Sequence, residues 1–245
     1  MNYPSQLRVE PIAREAGRAG AGIRVGFLLL LAWSLSALGA EFSVREVEKN
    51  APEELAPPIR ERLQPVAVQI FRGGEAEPAF ELWLARNLPL KEAPASTDHA
   101  LRFVRETELL GALVVSRDRR DYRDDEMYKG TYTMRLGMQP QDGNHLGTSD
   151  FPFFGVLVPA RLDRELEGIR TYKQLVKASS RETATDHPVI FSLRPAENDS
   201  SKLPAITKPA DDHLAVRLAI PASVEGVTGQ MSLVFDLVIE GVAQH

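Results

Sequence analysis

The chain has 245 residues, of which 43% are hydrophobic, 26% charged and 7% aromatic, ordinary proportions for a globular protein. Its formal net charge is −5, and residues beyond 40 carry 25 basic against 32 acidic side chains, a net of −7. That sign disfavours nucleic-acid phosphate and anionic lipid as partners; the absence of cysteine excludes disulfides, cysteine-ligated zinc, iron–sulfur clusters and cysteine nucleophiles.

Residues 1–24 mix Arg8, Arg14, Arg18 and Arg24 with Glu10 and Glu15, an extension that a start at Val9 would shorten. Val25–Ala40 is an uncharged run of 16 residues centred on Phe27–Trp33, with Arg24 before it and Glu41 after it. A positive flank, a short apolar stretch and small residues at its end are the parts of a secretory signal. Cleavage after Gly39 or Ala40 fits best. An uncleaved inner-membrane anchor is the alternative, although a span needs about 20 residues. No cysteine follows the run, so it is not a lipoprotein anchor. The protein is thus expected to be exported, periplasmic or extracellular, with 1–40 removed or anchoring and 41–245 folded as one domain. A division into 41–160 and 161–245 is the alternative.

In the mature chain, 42–48 reads as a strand, and 51–65 as a proline-rich linker with one helical turn at Ile59–Leu63. Val66–Phe71 and Phe80–Leu84 alternate as strands about the Gly73-Gly74 turn. Leu101–Val104 and Leu110–Ser116 read as two more. In 130–137 the period of two puts Tyr132, Met134 and Leu136 on one face and Thr131, Thr133 and Arg135 on the other. Phe153–Val158 is apolar on both sides, as a central strand is. Leu162, Leu166, Ile169, Tyr172 and Val176, spaced three or four apart, predict one α-helix over 162–178 packed on a sheet. Val189–Leu193 is a strand, 196–212 a long loop, and Leu214–Ile220 and Met231–Glu240 are strands, the last with Leu233, Phe235, Leu237 and Ile239 inward. About nine short strands and one helix indicate a mainly β chain, a β-sandwich of immunoglobulin-like or jelly-roll-like form.

Catalytic signatures are missing: no Gly-x-Ser-x-Gly, Ser-x-x-Lys or His-Glu-x-x-His, no Walker loop and no dinucleotide fingerprint. The run 117–129 carries Asp118, Asp121, Asp124 and Asp125, but its spacing does not fit a calcium loop and Arg119, Arg120 and Arg123 oppose a divalent ion. It reads as a solvated connection with local ion pairs. His99, His145, His187, His213 and His245 show no metal-ligand spacing. No metal or cofactor is expected. The 139–150 segment joins two strongly patterned strands and is rich in hydrogen-bonding side chains. Asp142, Asn144, His145 and Thr148 are the candidate binding residues, unless they bond back to the loop's own backbone.

Gly130-Thr-Tyr132-Thr, Gln139-Pro140, Asp142-Gly143-Asn144-His145, Gly147 and His187-Pro188 resemble a group of uncharacterised secreted bacterial proteins over roughly residues 110–193. The resemblance implies export and a shared fold and adds no mechanism. The Gly-x-Tyr start of 130–137 is also similar to the strand of immunoglobulin-like modules in which a tyrosine pins a sheet corner. The favoured function is a non-enzymatic binding or envelope-associated module for an unknown protein or small-molecule ligand. The rival is a secreted hydrolase or metal-dependent enzyme using dispersed residues around Asp142, His145 and His187; a purely structural envelope component is a third possibility.

Overall fold

The computed structural model describes residues 42–94, 100–139, 151–182, 187–196, 202–210, 213–229 and 231–241. The apolar run 25–40 and most of the 139–150 segment lie outside them. Among the described residues no helix is long and apolar enough to cross a membrane.

The described chain is mainly β. Its strands are β1 (Phe42–Glu48), β2 (Val66–Arg72), β3 (Phe80–Leu84), β4 (Leu88–Leu90), β5 (Leu109–Val115), β6 (Arg119–Arg120) and β7 (Glu126–Met127). After them come β8 (Gly130–Met138), β9 (Phe153–Pro159), β10 (Val189–Pro195), β11 (Ala205–Ala210), β12 (His213–Val224) and β13 (Met231–Glu240). Helix α1 (Pro57–Glu61) follows β1, and α2 (Tyr172–Ser179) follows β9. Eleven strands form one mixed sheet in the order β1-β2-β3-β5-β8-β9-β10-β13-β12-β11, with β4 parallel to the end of β12; β6 and β7 form a two-stranded sheet of their own.

Hydrogen bonding therefore does not divide the strands into the two sheets of an immunoglobulin-like or jelly-roll-like sandwich. One sheet curls until its own halves face each other. Four strand steps of about 4.8 Å separate β3 from β10, so a flat sheet would hold them roughly 19 Å apart. Instead, the rings of Phe80 on β3 and Phe191 on β10 meet edge to face, their centroids 5.8 Å apart. The end strands β1 and β11 also come against each other. Alternation accounts for the core: Tyr132, Met134 and Leu136 of β8 and Leu233, Phe235, Leu237 and Ile239 of β13 all point into the space the curl encloses.

The outer face is covered in two places. Ile59 of α1, a helix opened by Pro57 and Pro58, packs with Leu55, Leu63 and Trp83. Leu175 of α2, with Ile169 and Tyr122, covers Phe154, Val156 and Val158 of β9. This double burial explains why β9 is apolar on both sides.

Several segments differ from expectation. Residues 101–104 are not a strand: Ala100–Phe103 is a single 3-10 turn. The expected loop 196–212 contains β11, and β4 falls where no strand was expected. The predicted helix 162–178 is shorter, because α2 starts only at Tyr172. Residues before it are held by Arg135, whose guanidinium takes the carbonyls of Glu165 and Leu166, each at 3.1 Å. The Glu165 carbonyl also takes Gly168 N–H at 3.2 Å, a turn that no helix continues. Thr171 then starts the helix with a reciprocal capping box to Gln174.

Candidate functional site

Asp142, Asn144, His145 and Thr148 lie outside the described residues, as do His99 and His245. The roots of their loop are described. Gln139 N–H donates to the Pro152 carbonyl at 2.7 Å, closing the hairpin between β8 and β9, and the Arg194 guanidinium stands 4.8 Å from the centre of the Phe151 ring. His187 is exposed, and buried His213 lies against Tyr122 with ring centroids 5.7 Å apart. Among the described residues no group of three or more acidic or histidine side chains is placed to hold a metal ion.

The acidic and basic run 117–129 is more ordered than a solvated connection. β6 and β7 pair across it, and Asp121 is its organiser, only 4% exposed. One carboxylate oxygen accepts the N–H groups of Arg123 at 2.8 Å and Asp125 at 3.0 Å; the other accepts Ile190 N–H at 2.9 Å. The segment is thereby fastened to the start of β10. Burial pushes the Asp121 carboxyl up to about 6 in spite of these three bonds, and neighbouring Asp125 adds to the rise. Tyr132 acts beside it as the Gly-x-Tyr pattern suggests, its hydroxyl donating to the Tyr128 carbonyl at 2.7 Å.

This fastening places the run over one end of the curled sheet, where a cleft of roughly 470 Å³ opens. Its apolar lining is Phe42, Phe80, Phe191, Val238 and Ile239, of which Phe80 and Phe191 are almost wholly buried. Its rim is charged. Arg119, whose side chain is 10% exposed, lies 5.1 Å from the centre of the Phe80 ring and donates to Glu75 at 2.9 Å. Arg117 approaches the other Glu75 oxygen only to 3.6 Å. Across the mouth, Arg72 at the end of β2 stands 5.9 Å from the Phe42 ring and 3.6 Å from Glu240 at the end of β13. Six strand steps lie between those two strands, roughly 29 Å in a flat sheet. The mouth thus exists only because the sheet curls.

A cleft that combines apolar side chains with convergent polar groups can hold a small molecule, and the mouth of a rolled sheet is a usual place for one; this one is richer in charge than most, with four arginines and four carboxylates in its lining. Sequence reasoning missed these residues. Arg72, Glu75 and Glu240 each stand where a strand ends or turns, a signal visible in the Arg72-Gly-Gly-Glu75 turn. Their convergence depends on pairings far apart in the chain.

Comparisons with protein-family models, with curated proteins and with solved structures give no match.

Proposed function

We propose that this chain is an exported, non-enzymatic binding protein, periplasmic or extracellular, of the secreted bacterial kind its 130–147 segment resembles, and that it holds a small molecule in the mouth of its curled sheet. The observation that carries the reading is the cleft itself, apolar below and ringed by arginine and carboxylate groups above. The layers that a sandwich would build from two sheets are supplied here by one, which leaves an open end for a ligand. The export part rests on the Arg24 flank and the apolar run 25–40. A crystallographic fragment screen tests the binding part: fragments should collect between Phe42, Phe80 and Phe191. A screen in which they collect elsewhere, or nowhere, overturns it. For export, residues 1–45 fused to a reporter active only outside the cytoplasm should give signal, and Leu29→Arg with Leu30→Arg should remove it.

A further inference from the structure

A buried cation without a counter-ion stands on the outer face of the sheet, apart from the mouth. In β10, Phe191 and Leu193 point into the enclosed core and Ile190 points to the outer cover. The period of two therefore puts Ser192 and Arg194 on the outer side with Ile190. Arg194 is only 8% exposed. The residue directly across from it on β13 is Asp236, but Arg217 takes both oxygens of that carboxylate, at 2.8 and 3.0 Å. Among the described residues Arg194 has no ion pair, and its buried Nε has no hydrogen-bond partner. The Phe151 ring, 4.8 Å away, attracts the charge without supplying an anion. Ser192, two residues earlier and wholly buried, has a hydroxyl that also lacks a partner.

A buried cation is strongly unfavourable unless an anion and hydrogen bonds compensate it. A buried donor left alone in a native protein calls for an ion or a water. We propose that this place on β10 binds a small oxyanion of the phosphate or sulfate kind. The in-plane N–H groups of Arg194 receive two of its oxygens, the fork geometry in which guanidinium and oxyanion match best. The Ser192 hydroxyl is a second donor on the same side of the strand. So little of Arg194 reaches the surface that a compact ion fits and a large ligand does not. The site is separate from the mouth, whose lining does not include Arg194.

The test is thermal denaturation of the full chain in chloride alone and with inorganic phosphate or sulfate at matched ionic strength. Either oxyanion should raise the native Tm by about 3 °C or more once it exceeds its Kd roughly tenfold. Arg194→Met and Arg194→Gln should show no such rise. In chloride, Arg194→Met should melt at or above the native temperature, since it removes a charge that nothing there compensates. Ser192→Ala should keep the native Tm in chloride and weaken phosphate about tenfold in calorimetry; unchanged affinity would strike Ser192 from the site. A native Tm indifferent to both oxyanions overturns the proposal. So does an equal rise in native and variant proteins, which is a general salt effect. A clear loss of stability in Arg194→Met in chloride, or its failure to fold, also overturns it, because the chain would then be supplying the counter-ion itself.

Discussion

Arg135 uses all five of its N–H donors inside the protein. Nε and one Nη bond the two oxygens of Asp163 at 2.7 and 2.9 Å, and the remaining donors reach the carbonyls of Thr107, Glu165 and Leu166. Thr133 adds its hydroxyl to Asp163 at 2.6 Å. Both charged side chains are 1% exposed. Thr107 presents its carbonyl from φ +73°, a left-handed conformation rare for a β-branched residue. Removing one partner of such a pair leaves a buried charge alone, so Arg135→Met should destabilise the fold by about 3–5 kcal/mol in chemical denaturation. Arg135→Lys retains the charge but lacks the fork and should recover only part of that loss. A loss below about 1 kcal/mol for Arg135→Met would show that water reaches the pair. Asp121 gives a second prediction at this scale. Its carboxyl titrates near 6 when folded and near 4 when unfolded. Between those values the folded state holds a proton that the unfolded state has lost, so this group makes stability fall as pH rises through the window. Denaturation midpoints of the native protein and of Asp121→Asn, compared from acid to neutral pH, should show the native advantage shrinking by on the order of 2 kcal/mol toward neutrality. An advantage that grows toward neutrality would contradict the assignment. The substitution itself should be unfavourable, because an amide nitrogen facing Ile190 N–H sets donor against donor.

Elements with a strict local pattern were legible in the sequence, and those shaped by distant groups were not. β1, β8, β9 and β13 were readable because each side-chain row has one kind of destination, core, covering element or solvent. The helix was misread because its apolar spacing began with Leu162, whereas Thr171 and Gln174, its true capping pair, stood unused. No local pattern shows that Arg135, some 30 residues earlier, takes the carbonyls at 165 and 166. Leu175, fully buried, now replaces the earlier stripe as the anchor of α2. Leu175→Ala should cost about 2–5 kcal/mol, and Thr171→Ala about 1 kcal/mol through loss of the cap. Lys173→Ala, on the exposed side, should stay within about 0.5 kcal/mol. Thermal or urea denaturation of the three variants separates these outcomes, and a small loss at Leu175 would place the helix outside the core.

At the scale of the whole molecule, the mainly β character was legible, but neither the full set of thirteen described strands, of which about nine were expected, nor the curl was. Alternation tells which face of a strand is buried and says nothing about which other strand lies opposite it. A sandwich and a sheet folded over on itself have the same pattern of inward rows. Only cross-sheet contacts distinguish them, and those depend on the summed twist of many strands. The mouth inherits the same limit, since Arg72 and Glu240 are near neighbours only after the curl. Phe80 and Phe191 offer a direct test of that geometry. Both are buried, on strands four steps apart in the hydrogen-bonded order, and their rings are nearly perpendicular at 89°. Edge-to-face aromatic pairs contribute about 0.5–1.5 kcal/mol beyond their burial. Phe80→Leu and Phe191→Leu should each destabilise the protein through lost volume. The double variant should then lose less than the sum of the two, by about that coupling energy. Residues roughly 19 Å apart, as in a flat sheet, have no direct contact to couple, and their effects would add. Strict additivity in this double-mutant cycle would mean that the two halves of the sheet do not meet, and the mouth with its floor of Phe42, Phe80 and Phe191 would go with them.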